Sequence, residues 1–255
     1  MSDALIGNTG FIGSSLAEQM HFDYLYNSSN IEDIRGKRYK TIVSAANSGA
    51  RWRSNQKPEE DLANIEKFIQ HVNTVEADTF ILVSTIDVYK DPNGVDEGSA
   101  TGADDANPYG KHRAYLEDFI KERFKRHLII RLPITYGMHF KKNLIYDVLN
   151  NHEVEKIDPA AKLQFYHVAR LSTDIQKALR AGIALLNMAT TPILVKDLLK
   201  EALGVELANA PGRGMTYDMR TKYAKLFGKS GDYAYEREQV VEDLHAFGTQ
   251  YGKKA

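Results

Sequence analysis

The sequence of 255 residues contains no cysteine. That excludes a disulfide framework, a thiol nucleophile and thiolate ligation of a metal. It has no charge excess either: 33 Lys and Arg stand against 34 Asp and Glu. No global field would draw such a chain onto nucleic acid or an anionic lipid surface. No apolar run approaches the roughly 18 residues a membrane span requires. The opening MSDALIGN lacks the basic-then-apolar pattern of a signal peptide, so a soluble cytoplasmic protein is the expectation. The eight histidines are scattered, and His152-Glu153 is not followed by a second histidine at metalloprotease spacing, so no metal site is expected. Repeats and low-complexity tracts are also missing.

What the sequence does have is alternation. Short β-rich runs at 4–6, 22–26, 41–44, 79–83 and 128–132 alternate with helical patterns at 11–20, 58–72 and 107–124. Pro58 and Pro108 suit the first turns of their helices. Strand and helix in turn from the first residues predict an α/β fold, a parallel sheet with helices on both faces. Segments 164–168 and 183–188 are further candidates to extend that sheet. The main domain is then 1–136 plus 164–189. The remainder, 137–163 plus 190–255, reads as a small, discontinuous, mostly helical lobe. Segment 91–107 is rich in Gly, Asp, Asn and Ala and reads as a loop of a length that is often functional.

Gly7, Gly10 and Gly13 follow the first strand with GxxGxxG spacing and open a helix. Such a turn, here with Asn8, Thr9, Phe11 and Ile12 between the glycines, lets backbone N–H groups at a helix N-terminus meet a pyrophosphate. It points to a dinucleotide. Further along the chain come Ala45-Ala46 after the third strand, Asn64 in DLANIEKF, STIDVY at 84–89, NPYGKHR at 107–113 and RLPITYG at 131–137. Near the end, LLNMATTPILVKDLLKEALG places an asparagine strand before a helix. In this order the motifs resemble the extended branch of the short-chain dehydrogenase/reductase superfamily, the NAD(P)-dependent epimerases and dehydratases. The resemblance covers most of the chain. It implies a Rossmann-type doubly wound parallel sheet, with Ala45, Ala46, Asn64 and Pro133 beside the cofactor. The chain is shorter than typical extended members, which implies a trimmed substrate lobe.

An acid at the end of the second strand would hold the ribose hydroxyls of NAD. Here the strand runs into Asn27, Ser28, Ser29 and Asn30, with no acid before Glu32. These small polar groups would tolerate a 2′-phosphate, and Arg35 or Lys37 would neutralise it. NADP is therefore expected ahead of NAD. Asp33 with Ile34 resembles the family's adenine-contacting pair.

The resemblance makes Thr85, Tyr109 and the residue four after Tyr109 the reactive group. The family has lysine there, one helical turn along the same face; this sequence has Arg113. Free tyrosine titrates near about 10, and bringing it to about 7 takes roughly 4 kcal/mol. One positive charge at about 4 Å and an effective dielectric of about 20 supplies roughly that much. Arginine can thus lower the tyrosine pKa and bond the nicotinamide ribose, but it stays charged and cannot relay a proton. Dehydratases of this branch often carry two acids directly after the threonine. Here Ile86 and Asp87 follow, which favours reduction or epimerisation over elimination. Arg51 and Arg53 in RWRSNQK, Asp87, His139, and Arg213 in the PGRG turn are candidate substrate contacts. The implied function is an NAD(P)-dependent oxidoreductase or epimerase, on a nucleotide-sugar by family analogy. The alternatives are a catalytically degenerate NAD(P)-binding regulator and a reductase of a small non-sugar carbonyl compound. A homodimer is common in the superfamily.

Overall fold

Strands covered on both faces need unbroken apolar runs, and this chain supplies several. In the computed structural model, which describes residues 2–46, 49–103, 106–210 and 212–252, they form a six-stranded parallel sheet. The strands are β1 (Asp3–Ile6), β2 (Tyr24–Tyr26), β3 (Arg38–Ser44), β4 (Glu76–Thr85), β5 (His127–Leu132) and β6 (Leu185–Asn187). Their order across the sheet is 2-1-3-4-5-6. β1 pairs in parallel with both β2 and β3, so the chain leaves it in opposite directions on successive crossovers. That is a topological switch point, where open α/β sheets form a ligand crevice at the carboxyl ends of their strands.

The crossovers are helical: α1 (Phe11–Gln19), α2 (Arg51–Gln56), α3 (Pro58–Val72), α4 (Pro108–Arg123) and α5 (Leu171–Arg180). Helix α3 spans the predicted residues. It buries Ile65, Phe68 and Val72 from one face, in a core with Ile42, Phe80 and Leu82 from the sheet and Leu116 and Ile120 from α4. Helix α4 starts at Pro108 behind Asn107, whose Oδ1 accepts the Gly110 N–H at 3.0 Å.

By its contacts the chain divides into two compact units. Met1–Asp91, Gly98–Arg131 and Ser172–Leu186 make the first, which holds the sheet. Pro92–Glu97, Leu132–Leu171 and Asn187–Ala255 make the second.

The second unit is built from short pieces. Helices Leu144–Leu149, Val195–Leu203 and Arg237–Gly252 accompany three two-stranded ribbons. Segment 164–168 does not extend the main sheet. Phe165–His167 pairs in parallel with Ile134–Tyr136 instead, and the neighbouring Gln164 side chain binds the backbone of Thr190 and Met219. A short apolar run specifies a strand, but its partner is chosen by tertiary contacts. Segment 183–188 does supply the edge strand β6. Residues 204–236, expected to be largely helical, contain no α-helix among the described residues. Gly204, Gly212, Gly214, Gly228 and Gly231 punctuate the stretch too often for one. Its Tyr217 and Tyr235 are buried, as packing residues would be.

One ion pair in the first unit has no contact with water. Arg131 on β5 and Glu117 on α4 are 2% and 0% exposed. Arg131 Nε donates to both Glu117 carboxylate oxygens, at 3.0 and 3.2 Å. Its Nη1 donates to the Tyr89 hydroxyl at 2.7 Å, and Ser84 Oγ donates to Glu117 Oε1 at 2.6 Å. Removing one member of such a pair strands the other charge in a medium that cannot solvate it. Glu117→Gln is therefore expected to cost about 3–5 kcal/mol of stability, read as a lower urea midpoint.

Candidate active site

The crevice at the carboxyl ends of the strands begins with the glycine turn after β1. Gly7 has φ +90, a conformation that side chains resist, and a Cβ there would lie 2.6 Å from the Ala45 carbonyl oxygen. A Cβ on Gly13 would lie 2.0 Å from the Gly7 carbonyl oxygen, so that glycine lets α1 approach the turn. Gly10 is different. It is exposed, and an added Cβ would meet only the Gly7 oxygen at 3.4 Å, so the internal packing of the turn does not require it. Helix α1 begins at Phe11 without a side-chain cap on Gly10. Asn8 Oδ1 in the turn and Ser44 Oγ at the end of β3 are buried polar atoms without a hydrogen-bond partner. An uncapped helix mouth, an open glycine and the unpartnered Ser44 hydroxyl, which can donate, fit a dinucleotide pyrophosphate.

The Asn27–Asn30 turn lies beside it, because Gly7 and Asn8 both donate to the Tyr26 carbonyl, at 2.7 and 3.3 Å. Its side chains bond one another. Asn30 Oδ1 accepts the Asn27 N–H at 2.7 Å, and Asn27 Oδ1 accepts from Ser29 N at 2.9 Å. Ser28 is exposed. Asp33 is exposed, whereas Ile34 is wholly buried in the core. Both cations expected near a 2′-phosphate have other bonds: Arg35 Nε donates to His71 Nδ1 at 3.0 Å, and Lys37 Nζ to the Tyr26 hydroxyl at 3.4 Å.

Two strands across from β1, about 10 Å at ordinary strand spacing, β4 ends at Thr85. Thr85 Oγ1 accepts the Asp87 N–H at 3.2 Å and donates to Asp87 Oδ2 at 3.3 Å. The Thr85 hydroxyl also acts on the Tyr109 phenol, favouring its ionised form. Helix α4 comes close here because Gly110 has no side chain: a Cβ would lie 1.8 Å from the Asp87 carbonyl oxygen. Thr85, Tyr109 and Arg113 are thus brought together, with Asp87. The Arg113 guanidinium lies 4.2 Å from the centre of the Tyr109 ring.

Helix α2, unexpected from sequence, is tied to this group. Arg51 Nη1 pairs with Asp87 Oδ1 at 3.0 Å, and Asn55 Oδ1 accepts the Tyr109 N–H at 3.0 Å. Arg53 points elsewhere, to Glu60 at 2.7 Å. The residue that sequence reasoning missed is Asp61, on α3. It is 9% exposed and accepts hydrogen bonds from Arg113 Nη1, from His112 Nδ1 at 2.8 Å and from Ser54 Oγ at 2.7 Å. Only its position, one turn before the singled-out Asn64, could have marked it; Asn64 itself is exposed.

Burial pushes the Tyr109 phenol above its ordinary pKa. Arg113 pulls it down, as expected, and so does the Thr85 hydroxyl, but Asp87 and Asp61 push with the burial and the net direction is up. Burial likewise raises the Asp87 carboxyl against the pull of Arg51, Thr85 and Arg113. For Asp61 burial also pushes up, yet the bonds from Arg113, His112 and Ser54 outweigh it and hold the carboxyl below the usual range.

Pro133, His139 and Arg213 belong to the second unit. Pro133 is buried; His139 is exposed with φ +70, after Gly137. Arg213 is exposed at the tip of a turn organised by Asp158, which accepts the N–H groups of Gly212 at 2.8 Å and Gly214 at 3.1 Å. Pro211 of that turn lies outside the described residues, as do Asp104 and Asp105 of the 91–107 loop. Among the described residues no His, Asp and Glu cluster could hold a metal ion, and no helix is long and apolar enough to cross a membrane.

No protein-family model and no curated protein matches the sequence. Solved structures of NAD(P)-dependent nucleotide-sugar epimerases and reductases match along its whole length. One is MoeE5 in complex with UDP-glucuronic acid and NAD: 16% identity, 100% of this chain and 99% of that chain covered, TM-score 0.75. The dTDP-4-dehydrorhamnose reductase of Bacillus anthracis, in complex with NADP, matches at 15% identity, with 98% and 99% covered and a TM-score of 0.72. The UDP-glucose 4-epimerase of Thermotoga maritima, with UDP-glucose, matches at 18%, with 100% and 99% covered and a TM-score of 0.69. The chain therefore has the Rossmann-type fold of the extended short-chain dehydrogenase/reductases.

The two glycines make a prediction about the turn. Gly13→Ala is expected to lower the melting temperature by several degrees, because its Cβ has no room. Gly10→Ala is expected to leave the melting temperature unchanged. Differential scanning calorimetry of both variants checks this.

Proposed function

We propose that the protein is an NAD(P)-dependent oxidoreductase or epimerase acting on a nucleotide-sugar, with reduction of a sugar carbonyl as its favoured step. The observation that carries this is the meeting of Thr85, Tyr109 and Arg113 at the end of β4, two strands from a glycine turn shaped for a pyrophosphate. Gly7, Gly10 and Gly13, with Asn8, Thr9, Phe11 and Ile12, would hold the pyrophosphate. Ala45 and Ala46 would flank it, with Asn64 beside the cofactor. The cofactor, when bound, supplies a hydride to the carbonyl carbon. Tyr109 donates the proton that the carbonyl oxygen then requires, and Thr85 orients that oxygen by a hydrogen bond. Tyrosine, which ordinarily titrates near about 10, carries its proton at neutral pH and so has one to give. Asp87 and Arg51, paired at the rim of the group, are the nearest candidates to contact substrate, with Arg53 of the same helix as a further proposed contact. The nucleotide-sugar class rests on the full-length likeness to proteins that carry UDP-sugars.

Absence of a carboxylate in the Asn27–Asn30 turn favours NADP, since nothing there repels a 2′-phosphate. With Arg35 and Lys37 bonded elsewhere, nothing neutralises that phosphate strongly either. NADPH is expected to bind more tightly than NADH by no more than about tenfold in titration calorimetry, and Gly10→Ala to weaken both.

Turnover is tested with NADPH and a panel of UDP- and dTDP-linked keto-sugars, with products identified by mass spectrometry. Tyr109→Phe is expected to lower kcat by about 10²–10⁴ while NADPH binding stays as it was. Unchanged turnover in Tyr109→Phe would overturn the assignment of the proton donor. Tight NADPH binding with no product from any keto-sugar, nucleotide-linked or free, would make the protein a cofactor-binding one without turnover.

A further inference from the structure

Asp61 is a carboxylate that the reaction as drawn does not use, yet it is among the few buried acids of the chain. It lies on a different helix from Tyr109 and Arg113, 52 residues before Arg113. Both of its oxygens are occupied: Oδ1 by Ser54 from α2, Oδ2 by His112 and Arg113 from α4. Arg113, 4% exposed, is thereby fixed with its guanidinium at 4.2 Å from the Tyr109 ring centre. A guanidinium held this way is a planar group on the ring face, and part of its field at the phenol is cancelled by the carboxylate that holds it.

We propose that Asp61 is a positioning residue for Tyr109: it clamps Arg113 against the ring and offsets part of the charge that the guanidinium presents to the phenol. Among the described residues, three charged groups act on the phenol directly. Arg113 comes from α4, Asp61 from α3 and Asp87 from the turn after β4. Arg51 of α2 and His112 of α4 act through Asp87 and Asp61 respectively. Two carboxylates thus oppose one stacked guanidinium, and burial acts with the carboxylates. In a site where lysine stood at 113 with no acid opposite, the positive charge would act on the phenol unopposed. Here the arginine and the aspartate form one unit, and the phenol meets the field of the pair.

The inference rests on the proposed function only for the use made of the proton. The protonation state can be read without substrate or cofactor, from the alkaline titration of tyrosinate absorbance, taken as the difference between each protein and the same protein carrying Tyr109→Phe. In Asp61→Asn the Tyr109 signal is expected to emerge about one pH unit lower than in the wild type. In Asp61→Asn with Arg113→Met, which removes both charges, it is expected to return upward. Should Asp61→Asn fail to fold, Arg113→Met alone is read in the same way and is expected to move the signal up. An Asp61→Asn signal that stays in place or rises, or an Arg113→Met signal that does not move, overturns the inference. Where turnover is found, the alkaline limb of the reduction rate should fall to lower pH in Asp61→Asn by the same interval. Absence of turnover in every variant would count against the proposed function and leave the titration result standing.

Discussion

The structure of the first unit depends on how it accommodates charge that water cannot reach. Tyr109, Arg113 and Glu117 occur at every fourth position of α4 and face inward as one stripe. Each charge on that stripe has a partner on another element: Asp61 of α3 for Arg113, Arg131 of β5 for Glu117. A buried charge without its partner costs several kcal/mol, so the two pairs fix the rotation and the height of α4 against the sheet. Hydrophobic contacts alone would tolerate a helix turned by a few degrees. Bonds from Arg131 to both oxygens of Glu117, and from His112 and Arg113 to Asp61 Oδ2, do not. The placement of Tyr109 against Thr85 follows from that rigidity.

The rest of the crevice follows from the sheet order. Because β1 lies between β2 and β3, the turns after β1, β2 and β3 open on the same edge, and the end of β4 is one strand further along. Backbone groups do most of the shaping at the glycine turn, side chains most of it at β4. This division matches the two ends of a dinucleotide, one needing space and amides, the other a placed hydroxyl.

Much of this was legible in the sequence, and the limits have physical causes. Helix α3 could be read to its last residue because Ile65, Phe68 and Val72 keep helical spacing behind Pro58. The glycine turn was legible because glycine is required by a steric rule that acts within a few residues. Helix α2 was not, since RWRSNQ has no apolar period; its register is set by bonds from Arg51, Ser54 and Asn55 to other segments. Asp61 and Glu117 were not singled out in the sequence, where nothing distinguishes them from solvated charges on helices. What buries them is a guanidinium 52 residues away in one case and 14 in the other, and no local pattern announces such partners. The direction of the Tyr109 shift was hidden for the same reason: the arginine was visible, the opposing carboxylates and the depth of burial were not.

Trp52 is the only tryptophan of the chain and stands 65% exposed on α2. The residue before it holds Asp87, and Asn55, three residues on, holds the backbone of Tyr109. The molecule thus carries a single indole fluorophore on the one helix bonded to both the acid and the phenol of the site. A displacement of that helix would change the surroundings of one identifiable ring, whose emission reports on α2 alone.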